Sequence, residues 1–280
     1  MTRCLSLLLV LSAAVSCTSD DGATTLAPTQ RVEAPVPATV ASDWRAQALD
    51  RADAVRASKP ELADLAGSIQ ARVTRHEGLV RIVDAKLDVP EAAPLLLERL
   101  LTRNETSDVR AALAASLGRT GGDFAEAARG IFRDERSATV REALVGAVRF
   151  DKRPEALELL REGLSDEDAG VRALAAKSLG HRPDGAQLAD SLIALATSDR
   201  DPHVQAESAR ALGLLQSQAS FDALQVLLGH DSAEVRLEAL RALGRIDGKR
   251  AAGLDGLVAL SQDADERVRG AAERVKTQAY

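Results

Sequence analysis

Two cysteines and four histidines are the side chains from which a nucleophile or a metal centre could be built. They are Cys4, Cys17, His76, His181, His203 and His230. His203 and His230 stand close to Asp201 and Asp231 in segments that separate apolar stretches, so adjacent loops could offer them together to zinc. No two histidines are spaced i, i+4, however, and neither cysteine lies among them. A closed zinc site needs four donors of these types, so we expect no metal. No glycine-rich phosphate loop follows a strand-like run, and no Gly-x-Ser-x-Gly occurs. The many carboxylates read as solvated helix faces. We expect no catalytic residue and no cofactor.

Cys17 stands in a different setting. Residues 1–16 place one positive charge, Arg3, before an apolar run that ends in small residues. That is the pattern of a secretory signal, too short to span a membrane as a mature helix. The segment Ala14-Val15-Ser16-Cys17 resembles a bacterial lipobox, with alanine where that motif usually carries leucine. The resemblance implies a diacylglycerol on the Cys17 thiol and cleavage before it. Removal of residues 1–16 would leave Cys17 as the one cysteine, so no intrachain disulfide could form. An ordinary signal cut nearby would instead leave a bare thiol. Thr18 and Ser19 follow the cysteine, which by resemblance to enterobacterial sorting points to the periplasmic face of the outer membrane if the cell is Gram-negative. Residues 17–42 then form a lipidated cysteine and a disordered tether, rich in Thr, Ala and Pro and without periodicity.

The elements that would position any binding group are repeats. Taking Val235 as an anchor, the equivalent residues are Leu79, Val109, Val140, Val171, Val204 and Val268, separated by 30, 31, 31, 33, 31 and 33 residues along the chain. In each copy the anchor, plus four, plus seven and plus eight fall on one helical face. Three residues before the anchor stand Thr106, Ser137, Asp168, Asp201, Ser232 and Asp265, all side chains suited to accept from a first helical turn. Gly118, Gly180, Gly213 and Gly244 stand at plus nine, where we expect left-handed residues that end the helix. A second apolar segment precedes each anchored helix, as in Phe124–Phe132 and Pro154–Leu164. A pair of this size cannot bury its own apolar face, so neighbours must cover one another.

The pattern Asp-x-x-x-Val-Arg-x-x-Ala-x-x-x-Leu-Gly resembles the short HEAT-like repeats of phycobilin lyases and of many bacterial scaffold proteins. Arg110, Arg141, Arg172, Arg236 and Arg269 match that family's arginine after the anchor. Asp166, Asp199, Asp231 and Asp263 match its loop aspartate, with Asn104 and Asp134 in the other copies. The resemblance implies an all-α, right-handed α-solenoid of about six to seven stacked antiparallel helix pairs. It implies that the arginines form a structural ladder between repeats, interrupted where Gln205 replaces one. We expect residues 43–78 to be an N-terminal helical cap, with helices at Asp43–Ser58 and Pro60–Arg75. We expect residues 79–280 to be the solenoid, opening on a degenerate anchored helix at Leu79–Leu87. Glu273, Lys276 and Thr277 give its last helix the polar look of a C-terminal cap.

Composition agrees with that reading. Apolar residues make up 45% and aromatics 2%, so the core is built from Ala, Leu and Val. A net charge of −6 argues against nucleic acid as a partner. The family's second helices line a concave face, and the plus-six position there lies off the buried stripe. It reads Ala115, Gly146, Lys177, Arg210, Arg241 and Arg274, from neutral to basic along the chain. Lys177, Arg210, Arg241 and Arg274 are therefore the candidate partner-binding residues. The function expected is a non-catalytic envelope scaffold that binds a protein or peptide and touches the membrane only through its lipid. The alternative is a lyase-type enzyme or enzyme subunit on the same repeats. The His-Glu pairs that mark HEAT-like di-iron hydroxylases occur once, at His76-Glu77.

Overall fold

Each half of the repeat carries one apolar stripe, and each stripe forms one helix. The computed structural model describes residues 43–67, 73–76, 79–82, 87–102 and 105–277, all within one compact unit of the chain. The signal, Cys17 and the tether lie outside the described residues.

Two helices come first, α1 (Asp43–Ser58) and α2 (Pro60–Gly67). Strands β1 (Val73–His76) and β2 (Leu79–Ile82) follow, paired antiparallel with Val73 opposite Ile82 and His76 opposite Leu79. This corrects three expectations. The stretch expected to be helical through Arg75 is strand from Val73, Leu79 begins a strand rather than a degenerate helix, and the boundary drawn at residue 78 separates two paired strands. The physical reason lies in the residue types. Val73, Thr74, Val80 and Ile82 are β-branched, and the sequence between the two runs includes a glycine, Gly78.

Six helix pairs follow among the described residues. They are α3 (Ala93–Thr102) with α4 (Ser107–Thr120), α5 (Ala125–Asp134) with α6 (Ala138–Val148), and α7 (Pro154–Gly163) with α8 (Ala169–Gly180). Next come α9 (Ala189–Ser198) with α10 (Pro202–Leu214), α11 (Phe221–Val226) with α12 (Ala233–Ala252), and α13 (Gly256–Leu260) with α14 (Glu266–Thr277). The anchored helices pack in order, α4 on α6 and so on through α14, as one layer. The first helices form the other, with α5 packed on α7 and α9 on α11. The result is an all-α solenoid with one short hairpin in its N-terminal part. Helix α12 breaks at Asp247, whose carboxylate accepts from the Arg250 amide at 2.9 Å and restarts the helix.

The core follows the anchored stripe. Val140, Leu144 and Val148 are fully buried, as are Val235, Ala239, Ala242 and Leu243. Each such leucine or valine contributes roughly 1.5–3 kcal/mol by leaving water. Four of the six expected caps form. Thr106, Asp168, Asp201 and Asp265 accept from amides of their own first turns. Ser137 and Ser232 make no such bond.

The repeated glycines serve a different purpose from the one expected. Among the described residues Gly121 is the one glycine with positive φ, and it ends α4. Gly118 and Gly213 lie inside helices, and Gly180 is the last residue of α8. A Cβ on Gly118 would stand 2.8 Å from the Ala147 carbonyl oxygen. One on Gly180 would stand 2.8 Å from Ala211 Cα, and one on Gly213 would stand 2.6 Å from Ala242 Cα. The partner each time is the plus-seven alanine of the next repeat. Glycine against alanine lets neighbouring anchored helices approach backbone to backbone.

Helix α1 packs on α3 and reaches α5, so it adds to the first-helix layer. The Trp44 indole lies against Gly130, where a Cβ would meet its ring at 2.2 Å. From the start of α1 to just past its end, Arg45 pairs with Asp134 at 2.5 Å, Arg56 with Glu98 at 2.5 Å, and Lys59 with Glu91 at 2.8 Å.

Candidate partner-binding face

In three copies the arginine after the anchor is held twice. Arg172 donates from Nη1 to the carbonyls of Asp166 and Glu167 in its own loop, at 2.8 and 3.0 Å. Its Nε and Nη2 donate to both oxygens of Asp199, in the loop of the next repeat, at 2.8 and 2.9 Å. Arg141 makes the same arrangement with Asp166, and Arg236 with Asp263. Arg110 pairs with Glu135. Arg269 makes the loop half alone among the described residues, to the carbonyls of Asp263 and Ala264. The accepting carboxylate also fixes its own loop, since Asp166 accepts from the Asp168 amide and Asp199 from the Asp201 amide, each at 2.9 Å.

Two of the matched loop aspartates do not occupy this place. The loop position lies five residues before the anchor, which is Glu135 rather than Asp134, and His230 rather than Asp231. Glu135 accepts from the Ser137 amide and His230 Nδ1 from the Ser232 amide, at 2.9 and 3.0 Å. Asp134 is taken by Arg45, and Asp231 is exposed. The residue that would donate toward position 230 is Gln205. Arginine and aspartate are thus replaced together at that boundary.

The plus-six residues lie off this ladder. Ala115 and Gly146 are half-buried, as are Lys177, Arg210 and Arg241, while Arg274 is exposed. Their charges are not equally free. Arg210 pairs with Glu207 at 3.5 Å and Arg241 with Glu238 at 2.6 Å, one turn before each. Lys177 and Arg274 have no carboxylate within ion-pair distance among the described residues. At plus ten the same face carries Phe150, 72% exposed, and later Arg245. A cleft between α12 and α14 is lined by Arg241, Gly244, Arg245, Ala271, Arg274 and Val275.

A family model for HEAT repeats matches residues 131–201 and 189–275, together just over half of the chain. The chain belongs to the HEAT-repeat family. No curated protein matches it. It is similar to a crystal structure described as that of an engineered protein, at 24% identity and a TM-score of 0.40, covering 87% of this chain and 94% of that one.

In this HEAT array the histidines are dispersed. His230 spends Nδ1 on a backbone amide, and His203 faces Glu234 at 3.6 Å on the surface. Among the described residues no three His, Cys, Asp or Glu side chains are grouped to hold a metal ion. A second set of inter-repeat arginines was not foreseen. Arg153 Nη2 donates to the Gly122 carbonyl at 2.7 Å and its Nη1 pairs with Asp123, while Arg182 donates to the Asp151 carbonyl. The signal was present as a repeated Arg-Pro dipeptide, Arg153-Pro154 and Arg182-Pro183. Proline holds the preceding residue extended, which carries the arginine away from the helix it precedes and onto the turn of the repeat before.

Proposed function

We propose that this protein is a non-catalytic scaffold that binds a protein or peptide along the exposed face of its anchored-helix layer. HEAT-repeat arrays commonly mediate protein interactions, and the fold is usually a scaffold. The observation that carries the reading here is the polarity of that face. Its plus-six positions are neutral at Ala115 and Gly146 and become basic at Lys177, Arg210, Arg241 and Arg274, on a chain of net charge −6. Evenly spaced contacts of modest strength add through multivalency along an extended partner. The partner chemistry is acidic. The test is cross-linking in intact cells to identify the partner, followed by binding of that partner to a triple Arg210→Ser, Arg241→Ser, Arg274→Ser variant. Unchanged binding at both low and moderate salt would mean that these side chains only solvate the helix.

The proposal includes an export route. Cys17, placed just after an apolar run, would carry a lipid and tether the solenoid to a membrane, on the periplasmic face of an outer membrane in a Gram-negative cell. No helix among the described residues is long and apolar enough to cross a membrane. Comparing detergent-phase partitioning of the wild type and the Cys17→Ser variant tests this. Wild-type protein found wholly in the aqueous phase would exclude the lipid.

A further inference from the structure

We infer that the cleft between α12 and α14 is the main grip for the acidic partner, a receptor for neighbouring carboxylates formed by Arg241, Arg245 and Arg274. The inference rests on the partner-binding reading above and narrows it to one place and one chemistry.

Charge balance comes first. In α10 and α12 the plus-three residue is glutamate, and Glu207 and Glu238 partly neutralise Arg210 and Arg241. In α14 the plus-three residue is Ala271. Arg274 therefore lacks the internal carboxylate that its counterparts have, and Arg245 also has none within ion-pair distance among the described residues. Three guanidinium groups share one glutamate there. The stripe is thus not a row of equal contacts, because two of the face's uncompensated cations, Arg245 and Arg274, meet at one inter-helix cleft, while Lys177 stands apart on α8.

Packing shapes the lining. A Cβ on Gly213 would stand 2.6 Å from Ala242 Cα, so α10 and α12 approach closely there. The glycine of the next boundary, Gly244, has Val275 at the matching position instead of alanine. Valine adds two methyl groups at that contact, and the cleft lies at this boundary. Its floor is Gly244, Ala271 and Val275, small and apolar, and its rim is the three arginines. An arginine fork fits a carboxylate through two parallel hydrogen bonds. The apolar floor suits the methylene groups of a glutamate side chain. Nucleic acid fits less well, since the lining holds no aromatic ring to stack on a base.

The experiment measures binding of a labelled oligoglutamate peptide to the full chain, with oligoglutamine, a phosphoserine peptide and a single-stranded oligonucleotide as comparison probes. Oligoglutamate is expected to bind, oligoglutamine not to bind, and added salt to weaken the complex. The Arg245→Ser, Arg274→Ser double variant should lose about tenfold or more in affinity with unchanged helicity, and Arg210→Ser should lose about twofold at most. Equal losses from Arg210→Ser and from the double variant would overturn the inference, as would tighter binding of the phosphopeptide or the oligonucleotide. The cellular partner separates the two readings. If it binds the double variant as well as the wild type but is lost on the triple variant, the cleft is wrong and the face reading stands. If the triple variant also binds it fully, both fall.

Discussion

Arg172 and Asp199 face each other across a repeat boundary with two parallel hydrogen bonds, and their side chains are 8% and 5% exposed. A pair so withdrawn from water is costly to break on one side. Removing one partner leaves the other charge buried, at about 3–5 kcal/mol. Asp199→Asn should therefore lower the urea midpoint strongly. Replacing both residues with apolar side chains, as in Arg172→Met with Asp199→Leu, should recover much of that loss. A double variant as unstable as the single would show that the rung holds the repeats together through charge and not through filled space.

Acid should weaken the ladder. Burial pushes the Asp199 carboxyl up, but hydrogen bonds from Arg172 and the Asp201 amide hold it below the usual carboxylate range. Arg236 holds Asp263 down in the same way, and Arg267 brings Asp265 down to about 2. These carboxyls bind protons more weakly folded than unfolded. Their stabilisation is full above an unfolded pKa of about 3.9 and is lost as pH falls through the folded values. Urea midpoints should stay level from neutral pH down to about pH 4 and drop below it. A midpoint that rises on acidification would contradict the ladder.

Two glycines should respond oppositely to the same substitution. A Cβ on Gly213 would collide with Ala242 backbone, so Gly213→Ala should destabilise by about 1–3 kcal/mol. A Cβ on Gly146, inside α6, would find Leu174 at an ordinary 3.7 Å. Gly146→Ala should therefore stabilise by up to about 1 kcal/mol through helix propensity. Chemical denaturation of the two variants side by side checks both signs.

Trp44 is the single tryptophan of the chain and reports on the docking of α1. Gly130→Ala would place a methyl group inside its ring contact. The indole should be displaced toward water, with a red-shifted emission and greater acrylamide quenching. Emission identical to wild type would mean that α1 does not rest on Gly130.

The helix pairs were legible because their signals lie within one repeat. Val140, Leu144 and Val148 form a stripe by themselves, and Asp168 or Asp201 starts a helix with amides a few residues away. What was misread depends on distant partners. Gly213 looks like a helix stop until Ala242, in the next repeat, is set against it. Leu79 keeps the repeat spacing, which concealed the β-branched residues on either side of Gly78. On the proposed binding face, Arg210, Arg241 and Arg274 were readable from spacing. Their unequal neutralisation was readable too, in Ala271 standing where Glu207 and Glu238 stand, but Arg245 lies at plus ten and outside the stripe followed.

The boundary between Gln205 and His230 bears on how such an array can be rearranged. Each repeat owns the donor of one rung and the acceptor of the rung before it. A unit carrying Gln205, moved in front of one that opens with a loop aspartate, would bury that carboxylate against an amide. A unit opening with His230, placed after Arg172, would leave a guanidinium without its anion. The units are therefore not interchangeable tiles. Each junction imposes its own matching rule, and a viable duplication or exchange must carry both sides of a junction together.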